Sequence, residues 1–251
     1  MSETTPPEGR VSYRSEHGVA IITLERPHKR NAMTTRMCDE LQAALERLRD
    51  GEDRVGLLCA QGETFCAGAD LNDPPPHFWR AVPGVGVETG KPLIAVVQGP
   101  VVGLALTIVA YADLCVAAED TRFLYPEAKV GVSKGLIAGL GVRVPHKIAM
   151  ELMLMGGPIS AQRAYDVGFV NRVVPAGQQL ATAREIAAGL AQAAPLVVAQ
   201  LRQLVNETLP ASPTEVMYRT TALIDRVGHS ADAQEGLRAF QERRPPRFTG
   251  S

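Results

Sequence analysis

Two apolar, strand-like runs that each end in a turn of small residues constrain this chain most. Val55–Ala60 leads into Phe65-Cys66-Ala67-Gly68-Ala69-Asp70-Leu71, and Leu93–Val97 leads into Gly99-Pro100-Val101-Val102-Gly103. Small side chains let a ligand come close to the backbone, and a sharp turn can aim N–H groups at it. Two strand ends that open this way predict two amide donors converging on one oxygen. That is the arrangement that stabilises negative charge developing on a carbonyl.

The flanking pattern predicts an α/β fold. Residues 11–13 and 19–24 read as strands around the turn Glu16-His17-Gly18, and Thr34 or Thr35 caps a helix carrying Met37, Leu41, Ala44, Leu45 and Leu48 at helical spacing. Residues 72–90 hold three prolines in a row and read as a loop, with a short helix near residues 77–80. A strand at 93–97, a buried helix at 104–111 and a strand at 113–117 follow. This alternation predicts parallel crossover units. Beyond it the pattern is helical, at 145–155, 161–167, 178–193, 196–209, 213–227 and 232–242, with one short strand at 170–174. We expect a disordered N-terminus at 1–10, a core at 11–194 and a helical C-terminal region at 195–251.

At 251 residues and 45% hydrophobic content the chain can bury a full core. A net charge of −1 gives non-specific nucleic-acid binding no electrostatic support. The polar first ten residues lack an apolar signal core, and no run is long enough to span a bilayer, so a cytoplasmic protein is expected. Cys38, Cys59, Cys66 and Cys115 form no CxxC pair and the five His show no ligand spacing, so buried free thiols and no metal are expected. No GxSxG elbow is present.

Further pieces stand in a fixed order along the chain. They are Arg26-Pro27 with Lys29-Arg30-Asn31-Ala32, the turn at 65–71, KPLIAVVQGP at 91–100 and ADLCVAA at 112–118. Phe123 with Pro126-Glu127, Gly131, PISA at 158–161 and GFVNRVVP at 168–175 follow. Together they resemble the crotonase superfamily, the enoyl-CoA hydratase/isomerase family, from about Val19 to the C-terminus. The resemblance implies a spiral of ββα units with a helical C-terminal trimerisation region, and a homotrimer or a hexamer of two trimers. It implies an acyl-CoA substrate and no separate cofactor, coenzyme A being part of the substrate. It assigns the two oxyanion amides to Ala69 and Leu104, the second at a helix start where the dipole also favours negative charge. It assigns Arg30 and Ala32, with Ala67, Gly68, Asp70 and Leu71, to the groove for the CoA nucleotide and pantetheine. A basic side chain such as Lys29 or Arg30 suits the phosphates; the alternative is a solvated turn.

The chain departs from the family pattern at three places. Family hydratases hold water between two Glu; the second matches Glu127, but the first is replaced by Thr107. A threonine is no general base at neutral pH, although its hydroxyl can bond a water. Gly103-Leu104-Ala105 stands where a triple glycine is common, and residues 134–139 differ from the usual glycine-rich run. A lone Glu at the Glu127 position resembles family enoyl-CoA isomerases, in which one carboxylate moves a proton between two carbons. Double-bond isomerisation is therefore expected over hydration, with a catalytically impaired acyl-CoA-binding protein as the alternative. For Glu127 itself the alternative is a structural carboxylate, paired with an Arg or capping a helix. Asp70 is expected to hold its loop rather than to catalyse. Phe78 and Trp79 either line the acyl pocket or belong to a core or interface. Phe240 with Arg243-Arg244-Pro245-Pro246 is either a tail that reaches a neighbouring subunit or solvated charge.

Overall fold

A computed structural model describes residues 8–250. The first hairpin is β1 (Arg10–Glu16) against β2 (Val19–Glu25), antiparallel in full register. Helix α1 (Thr35–Asp50) follows, capped by the Thr34 side chain, which accepts from the Met37 amide at 3.2 Å. Its five apolar residues at helical spacing are all buried against the sheet. Strands β3 (Val55–Ala60) and β4 (Leu93–Val97) occupy their expected positions. Then come β5 (Pro100–Val102), α2 (Leu104–Ala110), β6 (Leu114–Ala118), β7 (Arg122–Leu124) and the short α3 (Glu127–Val130). Next are α4 (His146–Met150), which runs into a π-helical turn at Glu151–Met155, β8 (Ile159–Ser160), α5 (Ala161–Asp166) and β9 (Arg172–Val174). The chain closes on α6 (Gln179–Gln192), α7 (Pro195–Glu207), α8 (Pro213–Gly228) and α9 (Ala231–Glu242).

The large sheet has the order β1-β2-β3-β4-β6-β9, parallel from β2 onward, and a smaller sheet has the order β5-β7-β8. The units β4-β5-α2 and β6-β7-α3 each place their first strand in the large sheet and their second in the small one. This is the ββα repeat of the crotonase-like fold, and it brings the carboxyl ends of neighbouring parallel strands to one edge. One face of the large sheet meets α1 and α2; the other is covered by α6 through Ala183 and Ala187.

Several expectations need correction. Residues 1–7 of the expected disordered N-terminus lie outside the described residues. The rest of that segment is ordered: the Glu8 carbonyl accepts from the Thr34 hydroxyl at 3.1 Å, and Arg10 opens β1. Residues 100–102 form a strand rather than a turn, because they pair with β7, a partner distant in sequence. The small sheet was invisible for the same reason. Its strands are two or three residues long, too short to show a period. The short helix of the 72–90 loop is a 3-10 turn at Phe78–Ala81. All four cysteines are buried free thiols. Among the described residues, no helix is long and apolar enough to cross a membrane.

Candidate active site

The turn after β3 is built by a crossing of two loops. Arg30 and Asn31 both take left-handed backbone conformations, with φ of 50° and 55°. Asn31 tolerates this and is fully buried. Its amide nitrogen donates to the carbonyls of Gln61 and Thr64, both at 2.8 Å, and its oxygen accepts from the Arg26 amide at 2.7 Å. The neighbouring backbone is then zipped to the glycine turn. Ala67 N donates to Arg30 O at 2.9 Å, Met33 N to Gly68 O at 2.8 Å, and Asp70 N to Met33 O at 2.8 Å.

The second turn lies against the first. Cys66 pairs with Val101 of β5, and a side chain at Gly68 would sit 3.1 Å from the Val102 carbonyl and 3.9 Å from the Leu104 amide. Gly68 has φ of +99° and Gly103 has φ of +55°, so both turns need glycine. Among the described residues, neither the Ala69 amide nor the Leu104 amide donates a hydrogen bond within the protein. The Gly103 carbonyl is held by the Thr107 amide at 3.1 Å and the Thr107 hydroxyl at 3.3 Å. In a trans peptide the N–H points opposite to the C=O. With Gly103 O drawn into α2, the Leu104 N–H points out of the helix start. The Met33 bond to Gly68 O fixes the Ala69 N–H in the same way.

Glu127 closes the group. It follows β7, whose Leu124 carbonyl accepts from the Gly103 amide at 3.0 Å. A Cβ at Gly103 would lie 2.5 Å from Glu127 Oε1. The carboxylate therefore sits directly over the start of α2. Its Oε2 is buried with no hydrogen-bond partner among the described residues, and burial raises its pKa from 4.5 to about 7. Among the described residues, no Arg pairs with Glu127, and its side chain caps no helix amide beyond its own backbone.

The other expected site residues are placed as follows. Lys29 and Arg30 are exposed, and Leu71 is exposed at 88%, all beside the turn that holds Ala32, Ala67 and Gly68. The Asp70 carboxylate is turned inward to Arg26, and its Oδ1 accepts from the Asn72 amide at 2.7 Å. Bonding to Arg26 above all lowers its pKa. It holds the loop. Phe78 and Trp79 are buried against Tyr218 of α8, edge-on at 5.5 Å and stacked at 5.8 Å. Arg80 reinforces this by an ion pair with Asp225 at 2.7 Å. In the C-terminal tail, Arg244 pairs with Glu235 and Glu242, both at 2.5 Å, and Phe240 is 82% exposed. Sequence reading passed over Arg26 as a site residue, although it is buried and paired with Asp70. No local signal could have found a partner 44 residues away.

Fold and site together define a class, that of the crotonase superfamily, and the comparisons agree. A family profile described as Enoyl-CoA hydratase/isomerase matches residues 14–76 and 85–251. The chain is 33% identical to enoyl-CoA hydratase EchA19 of Mycobacterium tuberculosis, over 96% of each chain. It is 34% identical to carnitinyl-CoA dehydratase of Proteus mirabilis, over 91% of this chain and 94% of that one. The crystal structure of enoyl-CoA hydratase EchA1 from Mycobacterium marinum superposes with a TM-score of 0.72 at 35% identity, covering 98% of this chain and all of that one. The chain belongs to the enoyl-CoA hydratase/isomerase family of enzymes.

Proposed function

We propose that the protein binds an acyl-CoA thioester, polarises its carbonyl with the Ala69 and Leu104 amides, and moves a double bond by proton transfer through Glu127. The observation that carries this reading is a half-buried carboxylate with one buried oxygen unpartnered among the described residues, set over the helix start beside two amides that donate to none of those residues. Two N–H donors stabilise the enolate oxygen, which acidifies the adjacent carbon. A carboxylate with a pKa of about 7 is a stronger base than an ordinary Glu and still about half ionised at neutrality. It takes the proton from the carbon next to the thioester and returns it two carbons further along. One base suffices, and no water is consumed. On this reading Lys29, Arg30, Ala32 and the backbone of 67–71 hold the nucleotide and pantetheine, with coenzyme A entering as part of the substrate; the exposure of Lys29 and Arg30 supports it.

The relatives named as hydratases and a dehydratase make water addition the second reading. Against it stands Thr107, which brings no carboxylate and directs its hydroxyl to the Gly103 carbonyl. Incubation with 2-enoyl- and 3-enoyl-CoA thioesters, followed by mass spectrometry and absorbance, decides between them. The expected result is double-bond migration at constant mass. Gain of one water would replace isomerisation with hydration, and tight binding without conversion would leave a carrier.

We also infer that the helical C-terminal region at 195–251 assembles the protein as a homotrimer or a hexamer. Leu196, Leu201 and Leu204 of α7 and Leu223, Ile224 and Val227 of α8 are each more than half exposed, an apolar surface that association would remove from water. Light scattering should give the mass of three or six chains, and Leu201→Asp with Ile224→Asp should reduce it. A monomeric wild type would rule this out.

A further inference from the structure

We propose that the buried Arg26–Asp70 ion pair is a positioning device for the Ala69 amide, governing how strongly a bound thioester carbonyl is polarised although neither side chain touches the substrate. This rests on the oxyanion-hole reading above. Both residues are only 7% exposed, and a single guanidinium nitrogen, Nη1 of Arg26, donates both to Asp70 Oδ2 and, at 3.1 Å, to the Ala32 carbonyl. It thus ties together the residues that flank the short Met33–Ala69 bridge. Within that bridge Met33 N holds Gly68 O and Met33 O holds Asp70 N, both at 2.8 Å. Gly68 O and Ala69 N belong to one planar peptide, so whatever fixes the carbonyl fixes the direction of the N–H. Gly68 itself, at φ of +99°, has no side chain to restrain it. The constraint on this peptide comes from Met33, and the ion pair braces Met33 against Asp70 in addition to the Asp70 N to Met33 O bond. Asp70 Oδ1 extends the restraint to the Asn72 amide.

An amide that donates to a developing anion is worth most when it is held in place beforehand. Loosening the pair should tilt the 68–69 peptide and weaken one of the two donors. The Lys29 and Arg30 side chains, which take the nucleotide end on the reading above, are exposed and not part of the buried pair, so they should bind as before.

The test uses butanoyl-CoA carrying 13C at the thioester carbonyl, with its stretching band followed by difference infrared spectroscopy in the full chain. The wild type should move the band to lower wavenumber. In Asp70→Asn and in Arg26→Lys the band should return at least halfway to its free position. In those variants kcat should fall about 100-fold, with the Kd for the probe within about threefold. Arg26→Lys keeps the charge but offers one nitrogen head in place of the planar fork, so it is the milder variant for folding. If the variants melt at lower temperature yet shift the band as the wild type does, the pair is only structural and the proposal fails. Failure of both variants to fold would also overturn it, since the pair would then serve the whole fold and not the amide. An unshifted band in the wild type, with the probe bound, would mean that the underlying oxyanion-hole reading is wrong.

Discussion

Glu127→Gln should lower kcat by about 10³-fold while leaving acyl-CoA binding within a few-fold of wild type. The amide matches the carboxylate in shape but cannot accept the proton. The same substitution should make the protein more stable at alkaline pH. The folded carboxyl has a pKa of about 7, above its ordinary 4.5, because burial disfavours the charged form. A group of this kind binds its proton more tightly in the folded state, so wild-type stability falls as pH rises between those two values. Glutamine does not titrate. At pH 8 the variant should therefore be more stable by about 1–2 kcal/mol, a figure reduced for the solvent the half-buried carboxylate still meets. Below pH 4.5 the two proteins should converge. In the wild type, kcat/KM should rise with pH through about 7 and then level off, since the ionised form is the base. Chemical denaturation at several pH values and a pH–rate profile check all three statements. Full activity in the variant would remove Glu127 as the base, and a stability difference of the opposite sign would contradict its raised pKa.

Gly103→Ala should abolish most activity for a different reason. The new methyl would lie 2.5 Å from Glu127 Oε1, and the backbone there has φ of 55° and ψ of −111°, a region closed to residues with a Cβ. Either the carboxylate is displaced or the turn that presents the Leu104 amide relaxes, and each outcome separates base from oxyanion donor. We expect kcat to fall at least 100-fold and stability to fall by about 1–3 kcal/mol. Gly189→Ala is the matched control. It lies inside α6 with open space around its Cβ direction, so it should gain about 0.5–1 kcal/mol and leave kcat unchanged. Steady-state kinetics and thermal melts on the pair measure both effects.

Much of the fold could be read locally. Strands β3 and β4 and helices α1, α2 and α6 to α9 lie within a residue or two of their expected bounds, because each is a long apolar or amphipathic run with its period intact. Thr34 was one of two candidate caps, and geometry selects it. The small sheet could not be read, since Pro100–Val102, Arg122–Leu124 and Ile159–Ser160 become strands only by pairing with one another. The same limit applies to the loop around Trp79. Its aromatic character is plain in the sequence, but Tyr218, which covers it, lies far along the chain.

By itself the sequence determined which groups are available for chemistry: two glycine turns at the ends of parallel strands, one Glu after Pro126, and a threonine where a second acid would stand. These depend on residue type and short-range spacing. Only the tertiary structure decided that the Glu127 carboxylate stands over Gly103, that its oxygen is stripped of partners, and that Asp70 turns inward to Arg26. The physical reason is that burial, and with it the raised pKa of Glu127 and the pairing of Arg26, is created by segments brought together across the fold. No local pattern of residues encodes how much water remains beside a charge.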